Sequence, residues 1–209
     1  VSKQVPLVHI VDDEHAVRDS LAWLLQSRGI DSRGYPSGEA FLEVYRADLD
    51  GVVILDIRMD GLSGLEVLDR LMEGGATQPI IMLSGHADVP AAVAALKKGA
   101  VDFFEKPFSD NQMVDRILEL HAMSLTRRSE RTARLAVETR LASLSEREME
   151  VMERMIAGRL NKQIAGDLGI AMRTVEVHRA RILEKMGVRN AVELAAVLGR
   201  AASREDAGR

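Results

Sequence analysis

Four short apolar runs in this chain each end in a residue that can do chemistry. Asp12 and Asp13 follow residues 5–11, Asp56 closes 51–56, Ser84 closes 79–84, and Lys106 follows 101–105. Carboxylates drawn together repel, and they stay ionised only beside a cation. Oxygen-only ligation with coordination to spare suits Mg²⁺, which keeps several waters and accepts one or two carboxylates. An aspartate beside such an ion and an ammonium group can act as a nucleophile toward phosphorus and carry an acyl phosphate. Asp56 is the candidate nucleophile, because it alone caps the most central run. Asp13 would hold the ion directly, with Asp12 beside it or acting through water. Lys106 would pair with phosphoryl oxygens as a point charge, and Ser84 would donate to one of them. Taken singly, each residue has a plainer reading: Asp-Asp after a strand caps a helix, and Lys before Pro sits in a solvated loop. Their joint occurrence, each at a strand end, favours the chemical reading.

The elements that must position these residues alternate regularly. The runs 5–11, 30–35, 51–56, 79–84 and 101–105 read as strands. The second is weak, and 51–56 is β-branched enough to be buried on both faces. Between them lie helical patterns. Ala16, Val17, Leu21, Leu24 and Leu25 form one stripe, closed by Gly29. Ser37 caps a helix over 38–46, and Leu65, Val67, Leu68 and Leu71 mark the next. An Ala-rich helix over 89–98 is capped by Asp88 or a neighbour and ends at Gly99. Repeated βα units with short connections predict a parallel sheet covered on both faces. In such a sheet all C-terminal strand ends share one edge, where open α/β sheets bind ligands. The five polar residues therefore converge on one crevice.

The chain has 209 residues, enough for two modest domains or one larger one with a real core, with 46% hydrophobic and 29% charged residues. It has no cysteine, which excludes disulfides and thiolate metal sites and fits a reducing compartment. No apolar run approaches the ~18 residues of a membrane span, and no signal-peptide pattern opens the chain. A cytoplasmic location without membrane partners is expected. Residue 1 is Val rather than Met, which fits a trimmed start. The net charge of −4 is unevenly shared: −9 over residues 1–125 and +5 over 126–209. An acidic half suggests a cation or phosphoryl site, and a basic half suggests a polyanion partner.

From Ser109 the pattern is helical again, through Met113, Val114, Ile117, Leu118, Leu120 and Leu125, and then polar over 126–134. No Gly or Pro occurs between 109 and 157, so one long helix is expected, with a hinge near 126–132 as the alternative. Three segments are expected: 1–122, a helical linker over 123–141, and 142–209. The last segment carries no strand signal. Ser145 and Glu148 form a capping box, and short helices follow over about 146–157, 161–168, 172–186 and 190–200, before a frayed tail at 201–209. Ile164, Ala165 and Leu168 are placed to pack against Val175, Ile182 and Leu183, as in a helix–turn–helix, although a plain four-helix bundle fits the same periodicity.

Residues 5–120 resemble the receiver domain of two-component response regulators. The resemblance lies in Val11-Asp12-Asp13-Glu14, Leu55-Asp56-Ile57-Arg58-Met59, Leu62-Ser63-Gly64, Ser84-Gly85-His86-Ala87 and Glu105-Lys106-Pro107-Phe108. It implies a flavodoxin-like α/β fold with a parallel five-stranded sheet of order 2-1-3-4-5. It implies that Asp56 takes a phosphoryl group from a sensor histidine kinase. It also implies Mg²⁺ at Asp12, Asp13, Asp56 and the backbone carbonyl of Arg58, and Ser84 and Phe103 as coupled switch residues. Two positions depart from the family pattern: Asp60 stands where Pro is usual, and Phe103 lacks the hydroxyl of a tyrosine.

The strings Asn161-Lys162-Gln163-Ile164-Ala165 and Arg173-Thr174-Val175-Glu176-Val177-His178-Arg179-Ala180 resemble the LuxR/NarL type of DNA-binding domain, the FixJ subgroup in particular. The resemblance implies an all-α four-helix domain with 172–186 in the major groove. Glu176, Val177 and Ala180 would face bases, and Glu176 could accept from cytosine N4. Lys162, Arg173, Arg179 and Arg181 are candidates for phosphate contacts, with Asn161 a polar contact at a helix N-terminus and Thr174 a further DNA-contact candidate. His178 lacks a second residue spaced to make it a metal ligand. A regulator of this kind dimerises through its 89–105 face when phosphorylated, and its partners are promoter DNA and RNA polymerase. Two rivals have other outputs: a phosphohydrolase with an Asp nucleophile and a helical cap, and a DNA-binding protein that never takes phosphate.

Overall fold

The computed structural model describes residues 5–47, 49–85 and 89–202. The expected cap at Asp88, the His86-Ala87 part of one motif, and the tail from 203 onward lie outside the described residues. The chain forms two compact units, residues 1–127 and 128–209.

The first unit is built from β1 (Leu7–Val11), α1 (His15–Ser27), β2 (Asp31–Tyr35), α2 (Gly38–Val44), β3 (Val52–Asp56), α3 (Gly64–Glu73), β4 (Ile80–Ser84), α4 (Val89–Lys98), β5 (Asp102–Glu105) and the start of α5 (Asp110–Ala142). The strands make one parallel sheet of order β2-β1-β3-β4-β5. Every residue of β3 and β4 is buried, as expected for uniformly apolar strands covered on both faces. The edge strands β2 and β5 are more exposed and carry the polar residues.

The two faces of the sheet have separate cores. Val8, Ile10, Val52, Ile54, Ile81 and Leu83 point to one face, where Leu21 and Leu25 of α1 and Met113, Val114, Ile117 and Leu120 of α5 cover them. Val53, Leu55, Ile80 and Met82 point to the other face, under Phe41 of α2, Val67, Leu68 and Leu71 of α3, and Ala95 of α4. The alternation follows from the period of two along a strand. Emptying either core, for example by Leu68→Ala, is expected to cost about 3 kcal/mol.

α5 is an unbroken helix of 33 residues, and the boundary between the units falls within it. The second unit continues with α6 (Glu146–Ile156), α7 (Asn161–Leu168), α8 (Met172–Met186) and α9 (Ala191–Ala202). Its core joins Val137, Leu141 and Leu144 to Val151, Met152, Met155, Ile164, Val175, Ile182, Met186 and Leu194. Ala165, Leu168 and Leu183 pack against this core, so the helix–turn–helix packing expected from their spacing is present. The turn itself is Gly169, in the left-handed region at φ 64°. The capping box at Ser145 and Glu148 forms as expected. Among the described residues no helix is long and apolar enough to cross a membrane.

Candidate functional site

The parallel register brings the strand ends level. Val11 pairs with Leu55, so Asp12 stands beside Asp56, and Ser84 pairs with Glu105, one residue before Lys106. At the centre is the Lys106 ammonium. Its Nζ lies 2.7 Å from Asp12 Oδ2 and 2.7 Å from Asp56 Oδ1, with Glu14 Oε1 at 4.0 Å. Asp12 is wholly buried, and Asp56 is 4% exposed. The remaining oxygens are held by backbone amides: Glu14 N–H donates to Asp12 Oδ1 at 2.9 Å, and Arg58 N–H to Asp56 Oδ2 at 2.8 Å. Such charge-assisted bonds are what make two buried carboxylates tolerable.

Burial pushes the Asp56 carboxyl above its ordinary value; Lys106 opposes the rise, while the nearby Asp12 charge adds to it. Lys106 is itself raised: burial alone would lower it, but its bonds to Asp12 and Asp56 outweigh that. The Lys106 N–H donates to the Ser84 carbonyl at 2.7 Å, which seats the lysine beside the buried Ser84. Phe103 is partly buried against the α2–α3–α4 core.

The loop after β3 must lie close to the strand end. Gly64 allows this, because a Cβ there would come within 2.0 Å of the Asp56 carbonyl oxygen. Its amide donates to the Ile57 carbonyl at 2.9 Å. Asp13 is turned toward this loop, its Oδ2 accepting the Asp60 N–H at 2.9 Å. Arg18 of α1 ties the β1 end down by donating to the Asp12 and Asp13 carbonyls at 2.7 and 2.9 Å. Arg18 and the Asp60 amide were not anticipated. An arginine one turn into a helix carries no distinctive spacing, and a backbone N–H carries no side-chain signal at all.

Among the described residues no three His, Asp or Glu side chains are grouped as a ready-made metal cage. Mg²⁺ asks for less, one or two carboxylates with carbonyl and water oxygens. The donor set fits this: Asp13 Oδ1 has no hydrogen-bond partner among the described residues, and Asp56 is the neighbouring strand-end carboxylate.

In the second unit, α8 turns Val175, Ile182 and Met186 inward. Its opposite stripe, at a turn of about 100° per residue, carries Arg173, Glu176, Val177 and Ala180, all exposed. Thr174 and Arg181 are exposed on the flanks, while Arg179 is half-buried toward the core side. Arg173 Nη1 lies 3.6 Å from Glu176 Oε2, within the outward stripe. Lys162 is exposed and Asn161 half-buried, at the start of α7. His178 is half-buried, and its Nδ1 has no hydrogen-bond partner among the described residues. An outward stripe of this kind on the second helix of a helix–turn–helix suits the major groove.

Sheet order and crevice together define a receiver-type α/β fold, followed along the chain by a helix–turn–helix unit. The family models agree: residues 8–118 match the response regulator receiver domain, and residues 142–198 match the bacterial regulatory proteins of the luxR family. The chain belongs to the two-component response regulators with a LuxR-type DNA-binding domain.

It is 54% identical over 190 residues to the C4-dicarboxylate transport transcriptional regulatory protein DctR of Rhodobacter capsulatus, covering 90% of this chain and 96% of that protein. It is 44% identical over 203 residues to the transcriptional regulatory protein FixJ of Azorhizobium caulinodans, covering 96% of each. Among solved structures, the response regulator StyR superposes with a TM-score of 0.88 at 37% identity, over 94% of this chain and 99% of that one. Full-length FixJ from B. japonicum gives 0.58 at 38% identity, over 95% and 98%.

Proposed function

We propose that this chain is a phosphorylation-switched transcriptional regulator, with Asp56 accepting a phosphoryl group from the phospho-histidine of a sensor kinase. The observation that carries the reading is the Lys106 ammonium held 2.7 Å from both Asp12 Oδ2 and Asp56 Oδ1. In the transfer, the phosphorus–nitrogen bond of the donor breaks as an Asp56 oxygen–phosphorus bond forms. Lys106 then shifts part of its charge from the Asp56 carboxylate to the incoming phosphoryl oxygens. Asp13 and Asp56, with Asp12 and the Arg58 carbonyl, would hold Mg²⁺, which supplies further neutralisation of the phosphoryl charge. Slow attack by water on the acyl phosphate resets Asp56, so the chain takes one group rather than turning over substrate.

Ser84 moves toward the phosphoryl group, and Phe103 follows into the space it leaves. This reshapes the face formed by α4 and β5, which pairs with a second copy. A two-fold dimer places two α8 helices on a two-fold DNA element, where Glu176, Val177 and Ala180 face bases beside Thr174, and Lys162, Arg173, Arg179 and Arg181 meet phosphates, with Asn161 a polar contact at the start of α7. Promoter DNA and RNA polymerase are the output partners, in the cytoplasm. Residues 1–122 act as the receiver, 123–141 as a helical linker and 142–209 as the DNA reader.

The test is incubation with acetyl phosphate and Mg²⁺, read by intact mass beside Asp56→Asn and by sedimentation. One adduct in the wild type, none in the variant, and dimer only with the adduct is the expected result. A second reading, a DNA binder indifferent to phosphate, draws on the Asp60 amide occupying Asp13 Oδ2. It predicts no adduct, and equal DNA affinity for wild type and Asp56→Asn.

A further inference from the structure

The carbonyls of a helix's last turn have no partner within the helix. At the end of α8 the chain reverses through Gly187, at φ 67°. The Gly187 and Val188 amides return to the Glu184 and Leu183 carbonyls, both at 3.0 Å. The Met186 carbonyl is taken from elsewhere: Arg140 Nη1, in the last turn of α5, donates to it at 3.0 Å. The exchange is reciprocal. Lys185, in the last turn of α8, donates through Nζ to the Ser143 carbonyl just beyond α5 at 2.9 Å. The same Nζ reaches Glu148 Oε2 at 2.6 Å, and that oxygen also accepts the Ser145 N–H at 2.9 Å. Each helix thus places a cation on the C-terminal end of the other, where the helix dipole favours it. Gly187 also leaves room for the guanidinium, since a Cβ there would lie 3.2 Å from Arg140 Nη1.

We propose that Arg140 is a positioning residue for DNA reading, the strap by which the end of α5 fixes the tilt of α8. This rests on the DNA-reading role proposed for α8. The apolar contacts of Val175, Ile182 and Met186 decide which face of α8 turns inward, but apolar packing is non-directional and tolerates small tilts. The base-facing Glu176 lies 10 residues from Met186, or about 15 Å along the helix. A tilt of about 8° at the strapped end displaces it by roughly 2 Å, more than a hydrogen bond to a base edge tolerates. Phosphate contacts through long flexible side chains absorb such a shift, and base contacts do not.

The experiment uses the full chain after incubation with acetyl phosphate and Mg²⁺. A duplex is selected from a random-sequence library by the wild type, and affinities are then measured for that duplex and a scrambled one. Arg140→Met, which keeps the stem and removes the donors, is expected to bind the selected duplex about tenfold more weakly, the worth of one charge-assisted hydrogen bond. Its affinity for the scrambled duplex is expected to stay within about twofold, because phosphate contacts dominate there. Arg140→Lys restores most of the selected-site affinity. Equal losses on both duplexes, the signature of a smaller folded fraction, would overturn the proposal, as would no loss on either. If the wild type itself selects no sequence, the DNA-reading role of α8 fails and this inference falls with it.

Discussion

The backbone N–H of Asp60 donates to Asp13 Oδ2 at 2.9 Å, from a residue 47 positions along the chain. The same loop gives its Arg58 amide to Asp56 and its Leu62 amide to Glu39 of α2, at 2.8 and 2.9 Å. Alternate amides of the loop therefore end on carboxylates from three separate places: the end of β3, the turn after β1, and α2. A neutral donor on Asp13 draws off negative charge that a bound cation would otherwise meet in full. Asp60→Pro removes this donor together with the Asp60 charge; Asp60→Asn removes the charge alone. Among the described residues none other than glycine has a positive φ, so proline's fixed negative φ has the right sign here. Calorimetric titration with Mg²⁺ is expected to show the Pro variant binding about threefold more tightly than the Asn variant. Equal affinities would mean that the amide does not compete.

The chemistry of the crevice was legible because it needs only two things a sequence displays: apolar runs and the residues that end them. Once the runs are strands of a parallel sheet, Asp12, Asp56, Ser84 and Lys106 have nowhere to go but one edge. What holds the site was less legible. The Asp60 amide on Asp13 and the Leu62 amide on Glu39 are backbone donors, which have no residue signature. The partners of His9 lie 26 and 41 positions away, and those of Arg140 and Lys185 lie 46 and 37 away, distances over which periodicity says nothing. The long helix was foreseeable from the lack of Gly and Pro. That its last turns belong to the core of the second unit was not, because Val137, Leu141 and Leu144 become a stripe only beside α6 and α8.

Glu148 is 3% exposed, and its carboxyl is pushed down to about 2, first by the Lys185 ammonium and then by the Ser145 amide. A depressed carboxyl stabilises the fold above its unfolded value of 4.5, and that stabilisation is lost as pH falls toward about 2. Hydrogen exchange of the α8 amides at decreasing pH is expected to show protection falling through this window in the wild type. In Glu148→Gln that pH dependence is weaker. Lys185→Met leaves the carboxylate buried without its cation and is expected to cost about 2 kcal/mol at neutral pH. If exchange in Lys185→Met matches the wild type, the pair contributes nothing.

His9 is fully buried in β1, between Tyr35 and Phe41. Its Nε2 lies 3.0 Å from the Asp50 carbonyl oxygen, which can only accept, so Nε2 carries the proton and Nδ1 accepts from Tyr35 OH at 3.1 Å. Burial lowers its pKa from 6.5; the Asp50 carbonyl opposes this, and Arg33 adds to it. A base whose folded pKa is lowered takes up protons first in the unfolded state. Stability is therefore full above about pH 6.5 and falls below it, by at most about 1.4 kcal/mol per pH unit. Urea unfolding monitored by hydrogen exchange of the β1 and β3 amides reads this unit directly, where Trp23, the one tryptophan, would not, being already 79% exposed in the folded chain. His9→Gln, which keeps one donor and one acceptor but cannot titrate, is expected to lose the slope between pH 6.5 and 5. An unchanged slope would assign the acid sensitivity to other groups.

The α4 helix buries Ala95 and turns a line of larger residues outward: Val89, Val93 and Leu96 are 69%, 45% and 48% exposed. Their spacing of four and three residues puts them on one stripe, next to β5 with its partly buried Phe103. Exposed side chains contribute little to the stability of a monomer, so a charge at Val93 is expected to change folding by no more than about 0.5 kcal/mol. At the centre of a two-fold interface the same charge would face its own copy, and the repulsion acts on both partners at once. Val93→Asp is therefore expected to accept the phosphoryl adduct at Asp56 as the wild type does, yet to sediment as a monomer. If Val93→Asp still dimerises on phosphorylation, the pairing face lies elsewhere on the receiver. If it loses the adduct as well, α4 bears on the crevice itself, and its effect on assembly is secondary.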